Sequence, residues 1–320
     1  MKTELTNKQV IQFYTDNLNN IQKSKELVDN IDKSDNIYLT HTSINPIECP
    51  SISIVMTTRN RQQQTYYTLQ SIISSQHNKQ IQIIIVDDST SSSTLDVEKL
   101  KFYNVHIDYI VVKQKFWINP CVNYNIGFKF IKAPITIIQN AEVCHIGDVI
   151  NYAVTHLRDS NNDNNYLVFD VLAFPKPQDN NTLYTKGTNF YKDDVPKNIN
   201  RYCWYQHHTL RNGWLHFLSA LKSKHLETVG GFDLDYCMGT CFDDNAFIDQ
   251  LKYIKLQFTN VRLAPNTPFG IHQWHTTENP SMTTKNVYNQ HLLFAKQKYL
   301  SMNKQYPFIT NNNTLNVLFD

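Results

Sequence analysis

Glycine is scarce in this chain, only 8 of 320 residues, and none of it forms a strand-anchored phosphate loop. Gly230-Gly231 matches neither G-x-G-x-x-G nor a P-loop, which counts against a dinucleotide-dependent dehydrogenase or a P-loop enzyme. G-x-S-x-G and H-E-x-x-H are missing as well, and with them the hydrolase and zincin signatures. The six cysteines (Cys49, Cys121, Cys144, Cys203, Cys237 and Cys241) form no C-x-x-C pair. In a chain this long, scattered thiols argue for a reducing, cytoplasmic setting rather than a disulfide framework. No apolar stretch approaches the roughly 20 residues that span a bilayer. Met1 to Asn20 is polar without an h-region, so neither a transmembrane segment nor a signal peptide is expected. A formal net charge of +2 gives no strong field for nucleic acid or acidic membranes.

What the chain does have is a pair of strands that end alike. Ser51 to Met56 reads Ser-Ile-Ser-Ile-Val-Met and breaks into Thr57-Thr58-Arg59-Asn60-Arg61. Ile81 to Val86 reads Ile-Gln-Ile-Ile-Ile-Val and breaks into Asp87-Asp88-Ser89-Thr90. Nearly continuous β-branched runs suit strands buried on both faces of a parallel sheet. Between them Leu69, Ile72 and Ile73 recur at helical spacing, completing a strand–helix–strand unit of roughly 30 residues. Open parallel sheets bind ligands at the carboxyl ends of their strands, where both polar runs fall.

Hydrophobic residues make up 41% of the chain, enough for a sizeable core. Lys8 to Asp29 carries a loose apolar stripe and reads as a helix, followed by a connector from Ser34 to Pro50. Val105, Ile107, Tyr109 and Val111 alternate as a third strand, Asn119-Pro120 opens a helix, and Ile135 to Ile138 is a fourth strand. Val149 to Leu157 returns to helix, so a doubly wound α/β sheet is expected. Tyr166 to Phe174 reads as a further strand, Lys176 to Asn200 as a long polar loop, and Leu218 to Glu227 as helical. A helix follows Cys241, Phe258 to Leu263 can be a strand, Gly270 to His275 sits in a loop, and Val287 to Tyr299 closes the fold as a helix. The expected organisation is an N-terminal helical extension (1–48), a main domain (49–280) and a C-terminal helical tail (281–320).

Several groups could carry chemistry. Adjacent carboxylates Asp87-Asp88 at a strand end suit a nucleobase or ribose, although Asp is also common in turns; with Thr57-Thr58-Arg59 at the neighbouring strand end, a ligand site becomes the better reading. Asn140-Ala141-Glu142 and His145 reach the same crevice edge, and carboxylate with imidazole suits Mn²⁺ or Zn²⁺. His272 and His275 offer more imidazole. Asp243-Asp244-Asn245 begins a helix, where the dipole favours acidic residues and keeps a carboxylate ionised, as a general base requires. The aromatic run from Tyr202 to Phe217, Trp204 and Trp214 included, could stack sugar rings or simply fill a core.

Taken together these residues resemble the family 2-like glycosyltransferases with a GT-A fold, over roughly Pro50 to His275. Ile52 to Arg61 is similar to that family's first strand and turn, and Ile83 to Ser89 to its second, whose final aspartate binds the base of a sugar nucleotide. The resemblance implies Asp88 as the base-binding residue with Thr57, Thr58 and Arg59 around it, and it places Asn123 at a helix start lining the donor pocket. Gln139-Asn140-Ala141-Glu142 falls where the family carries its D-x-D motif, Asn140 replacing the ribose-binding aspartate and Glu142 the metal-binding one. Gly230-Gly231-Phe232-Asp233 followed by Phe242-Asp243-Asp244 resembles the G-G-F-D and E-D segment of galactosyltransferase-like members, which makes Asp244 the base. A later histidine, His272 or His275, would complete the metal site.

The implied fold is a Rossmann-like, mostly parallel sheet flanked by helices. The implied activity is inverting transfer from a nucleotide sugar, UDP-linked by preference, to a hydroxyl of a glycan or other acceptor, with Mn²⁺ or Mg²⁺. A nucleotidyltransferase that makes the sugar nucleotide, and a non-catalytic sugar- or nucleotide-binding module, are the alternatives. Neither the acceptor nor the oligomeric state is legible.

Overall fold

The computed structural model describes residues 5–31, 37–75, 80–276, 282–303 and 305–319. Helix α1 (Asn7–Asp29) leads, followed by β1 (Leu39–Ile44), β2 (Ile52–Thr58), α2 (Gln62–Ser75), β3 (Ile81–Asp87), α3 (Val97–Lys101), β4 (His106–Val112), α4 (Cys121–Phe128) and β5 (Ile135–Asn140). The second half runs β6 (Val143–Ile146), α5 (Val149–Arg158), β7 (Asn165–Phe169), β8 (Val171–Ala173), α6 (Pro177–Asn198), β9 (Cys203–Gln206), β10 (Leu218–Lys222) and α7 (Ser223–Val229). Helix α8 (Asp243–Tyr253), β11 (Gln257–Val261), β12 (Phe269–His272), α9 (Met282–Asn303) and α10 (Asn312–Phe319) complete it.

Eight strands form the main sheet in the order β1-β4-β3-β2-β5-β10-β7-β11. Strands β4, β3, β2 and β5 are mutually parallel, whereas β10 runs antiparallel to both β5 and β7, and β1 antiparallel to β4. Six of the eight strands thus share one direction, as expected of a mostly parallel sheet, while β1 and β10 run against it. A second sheet, β6-β12-β8-β9, folds beside its carboxyl edge. Burial explains why β2 and β3 read as unbroken apolar runs. Ile54, Met56, Ile83 and Ile85 face one apolar core with Leu69 and Ile72 of α2; Val55, Ile84 and Val86 face the other with α4 and α8. Each such side chain contributes about 1.5–3 kcal/mol by leaving water. Gly127 of α4 lies so close to β2 that a Cβ there would stand 2.7 Å from Val55.

Helix α1 opens with a capping box between Thr6 and Gln9, a device worth about 1 kcal/mol. Its buried Val10, Tyr14 and Ile21 belong to the same core as Val55, Leu292 and Leu315.

Other expectations need correction. The connector supplies an edge strand, β1, whose middle residues are exposed on both faces, so no alternation marks it. Its residues 34–36 and the expected boundary at 280–281 lie outside the described residues. The expected polar loop at 176–200 is helix α6, bent at Gly187 (φ 71°); only Asn180, Leu183, Tyr191 and Val195 of it are buried, so its apolar signal is thin. Leu218 to Lys222 is a strand and only the residues after it are helical. His272 ends strand β12 rather than sitting in a loop. Short apolar runs carry no period by which to tell strand from helix.

Candidate active site

Register brings the expected ligand edge together. Thr57 pairs with Val86 on one side and with Asn140 on the other, and Thr58 pairs with Asp87, so three carboxyl ends lie side by side. The two aspartates after β3 then part company. Asp87 is fully buried and accepts hydrogen bonds from Ser89 N–H (2.9 Å), Leu95 N–H (3.0 Å) and the Tyr109 hydroxyl (2.7 Å). Asp88 meets the Lys115 ammonium and has Arg59 at 3.7 Å. Burial lowers the Lys115 pKa, and the charge of Asp88 opposes that shift.

Thr58 is turned inward, its hydroxyl 2.9 Å from that of Thr65. Asn123 is also buried, and its Oδ1 accepts from Trp117 Nε1 at 3.0 Å. Asn60 ties the two polar turns: its N–H donates to Ser89 Oγ (2.7 Å) and its Oδ1 accepts from Thr90 N–H (3.0 Å).

One strand further, Asn140 donates from Nδ2 to the Tyr205 hydroxyl (3.1 Å) and accepts from the Tyr124 hydroxyl (3.3 Å). The tight β5-to-β6 turn then presents Glu142, and ligand atoms of Glu142, His272 and His275 all lie within 4.8 Å of one another. His272 arrives on β12 opposite Val143. Its pKa is pushed down to about 3, first by burial and then by His275, Arg61 and Arg211, so the imidazole is neutral near pH 7. His275 Nδ1 donates to the Thr276 carbonyl at 3.0 Å, and its Nε2 stands 4.0 Å from Glu142. A metal-ligating histidine characteristically donates its other N–H to a carbonyl in this way. The three residues fit a divalent ion of the Mn²⁺ class. Arg61 adds a cation at the same carboxylate, its Nε 3.4 Å from Glu142.

His145 does not join them. It is fully buried, donates from Nε2 to Gln139 Oε1 (2.7 Å), and is pushed down to about 3 by burial. A second group of metal-type side chains, Asp170, His207 and His208, is held by the fold itself. His207 Nδ1 accepts from Thr209 N–H (3.0 Å) and Leu210 N–H (2.9 Å), so its proton sits on Nε2 and no lone pair remains for a metal. Asp170 meanwhile accepts from the backbone of His208 and Leu263.

Asp244 lies in the first turn of α8, Oδ1 2.6 Å from His216 Nδ1. The contact is close, though neither atom is aligned for a hydrogen bond. Asp243 beside it is buried, accepts from Asn119 Nδ2 (2.8 Å), and has its pKa pushed up to about 7 by burial and by the charge of Asp244. Two phenols connect the halves. Burial, then the charges of Glu142 and Asp244, raise the Tyr205 hydroxyl, and the same two carboxylates raise buried Tyr124. Tyr205 also stacks on His272, centroids 4.0 Å apart, and lies under the Arg211 guanidinium at 5.3 Å.

Tyr124, His216 and Arg61 went unassigned in the sequence, and Tyr205 was one aromatic among many. The two tryptophans considered for an acceptor pack elsewhere, Trp204 on His207 and Trp214 on Phe258.

No curated protein sequence matches the chain significantly. Among solved structures it is similar to S. aureus TarS, with TM-score 0.53 and 11% identity over 84% of this chain and 42% of that one. It is also similar to TarS 1–349 in complex with UDP-GlcNAc, with TM-score 0.55 and 10% identity over 84% of this chain and 70% of that one. The chain therefore spans less than half of the first of these TarS chains, and at these identities the likeness is one of fold. The sequence pattern of glycosyl transferase family 2 matches residues 53–218, a segment that runs from β2 through the Glu142 turn to the start of β10. With just over half of its length so matched, this chain belongs to glycosyl transferase family 2.

Proposed function

We propose that the chain is an inverting, metal-dependent transferase that moves a sugar from a nucleotide sugar, UDP-linked by preference, to a hydroxyl of a saccharide acceptor. The observation that carries this reading is a pair of carboxylate groupings that both act on the Tyr205 hydroxyl: Glu142 with two imidazoles, and Asp244 at the head of α8. The UDP-GlcNAc bound by TarS 1–349 supports a uridine donor for a chain of the same fold.

On this reading Asp88 receives the base, its carboxylate oriented by Arg59 and Lys115, with Thr57 beside it. Asn140 turns toward the ribose. Glu142, His272 and His275 would hold Mn²⁺ or Mg²⁺, which when bound supplies positive charge to the diphosphate leaving group. Asp244 accepts the proton of the acceptor hydroxyl as that oxygen attacks the anomeric carbon and the bond to the diphosphate oxygen breaks. The division into a segment 1–48, a catalytic domain 49–280 and a C-terminal helical tail 281–320 is part of this proposal, with β1 of the first segment completing the edge of the catalytic sheet.

A thermal-shift panel of UDP-GlcNAc, UDP-glucose, UDP-galactose and GDP-mannose, each with and without Mn²⁺, tests donor and metal together. UDP release measured on the same panel tests turnover. Asp244→Asn should abolish UDP release while leaving the nucleotide-induced shift intact. Retained turnover in that variant overturns Asp244 as base; binding without turnover in the wild type under every acceptor tried favours a binding module.

A further inference from the structure

We infer that Asn289, on C-terminal helix α9 and outside the family-matched segment, is the positioning residue that sets Asp244 at the cleft. The inference rests on the reading of Asp244 as the base. Helix α8 begins directly after two consecutive left-handed residues that are not glycine, Cys241 (φ 59°) and Phe242 (φ 65°). L-residues adopt this conformation only where their surroundings impose it. The imposing group is a single fully buried amide. Asn289 Nδ2 donates to the Tyr236 carbonyl (3.1 Å) and to the Cys241 carbonyl (2.9 Å), bridging the two ends of the loop that leads into α8.

The amide is itself oriented from the opposite terminus of the chain. Its Oδ1 accepts from the hydroxyl of Tyr14, on α1, at 2.8 Å, so a side chain whose ends differ only in O and N has one allowed orientation. Gly239 makes room for it: a Cβ at that position would fall 2.1 Å from Asn289 Oδ1. On its other side the loop is fixed to the donor-site half, because Cys237 O accepts from Ile118 N–H and Asn119 N–H at 2.8 and 3.0 Å. Asn119 Nδ2 in turn holds Asp243 at 2.8 Å. Losing the Asn289 bridge frees the Cys241 carbonyl, and relaxation of the two left-handed residues swings the first turn of α8. Displacement of a catalytic group by about 1 Å costs on the order of 100-fold in rate.

The test compares Asn289→Ala, Asn289→Asp and Tyr14→Phe with wild type and with Asp244→Asn. UDP release from UDP-GlcNAc with Mn²⁺ is followed, water serving as acceptor, together with backbone hydrogen exchange over residues 237–246. Asn289→Asp keeps the shape and the acceptor for Tyr14 but loses both donations. It should lower kcat about 30-fold or more with the donor KM within about twofold, and speed exchange in 237–246 while exchange in β2 and β3 is unchanged. Tyr14→Phe should show a smaller loss, about threefold, in the same parameter, and it decides the question should the Asn289 variants fail to fold. Wild-type kcat in a folded Asn289 variant, a loss confined to KM, or unchanged exchange in 237–246 overturns the proposal. If Asp244→Asn itself turns over like wild type, the reading of the base fails instead; the exchange measurement needs no turnover and still judges the bridge.

Discussion

Oδ1 of Asp244 stands 2.6 Å from Nδ1 of His216. The imidazole cannot swing away, because Tyr124 and Phe232 meet it edge-on at 4.7 and 4.9 Å. A ring so fixed, in contact with the carboxylate, limits the directions that the carboxylate can take at the head of α8. His216→Phe should therefore reduce kcat for UDP release by about tenfold, short of the roughly 100-fold or more that the general base itself contributes. UDP affinity, measured by calorimetry, should stay within about twofold. Unchanged kcat would mean that the contact serves packing alone.

Glu142, His272 and His275 make a separate claim about cations. Glu142→Gln and His275→Ala should each weaken Mn²⁺ binding about tenfold or more, by analogy with what loss of a supporting group alone costs. The Mn²⁺-dependent rise in melting temperature should vanish, and excess chelator should abolish UDP release by the wild type. Asp170→Asn, at the other histidine cluster, should leave the Mn²⁺ response unaltered. A wild-type Mn²⁺ response in Glu142→Gln would remove that residue from the site.

Much of the edge where β2 and β3 end was legible because the signal there is local. Strands β2 and β3 are buried on both faces, so their apolar runs are unbroken and end where the sheet ends. The division between Asp87 and Asp88 was foreseeable only in part. A carboxylate at a strand end looks the same in sequence whether it caps its own turn, as Asp87 does through Ser89 and Leu95, or points outward. The Glu142–His272–His275 grouping was reached through the family resemblance alone, because it depends on β12 pairing with β6 across more than a hundred residues and four-residue strands carry too little pattern to announce such a pairing. Tyr205 and His216 were hidden by their company: in an aromatic-rich run nothing local distinguishes the ring over the cleft from those in the core. Asn289 gave no sign at all, since a polar residue on an amphipathic helix reads as solvent-facing.

Acid should destabilise the protein through Asp108, away from the cleft. Burial alone would raise its pKa, but hydrogen bonds from His41 and Gln82 and the charge of His106 outweigh that and hold it at about 2. The folded value lies below the unfolded one, so the stabilisation is complete above about pH 4 and is lost as pH falls toward 2. Denaturant midpoints measured from pH 5 to pH 2 should fall in this window, and Asp108→Asn should flatten that part of the curve. An Asp108→Asn protein with the wild-type acid slope would assign the loss to other carboxylates.

Lys296 offers the sharpest test of what holds the C-terminal helix. Its ammonium is 2% exposed and lies 2.5 Å from both Asp233 and Asp235, with Lys25 of α1 2.6 Å from Asp235. The Tyr306 hydroxyl donates to Asp233 (3.0 Å) and the Ile309 N–H to Asp235 (2.7 Å), so both acids of the Gly-Gly-Phe-Asp-Leu-Asp segment are satisfied by the two chain termini. Burial opposes the charged lysine, yet the paired carboxylates raise its pKa. Such a cluster need not be worth more than apolar side chains of the same volume, but removing one partner strands the rest. Lys296→Met should cost about 3–5 kcal/mol and lower the melting temperature by roughly 10 °C. Adding Asp233→Asn to Lys296→Met should recover part of that loss, because one fewer buried charge is then left unpaired. If Lys296→Met melts within about 2 °C of wild type, the helix is held by its apolar face and the ion cluster is incidental to stability.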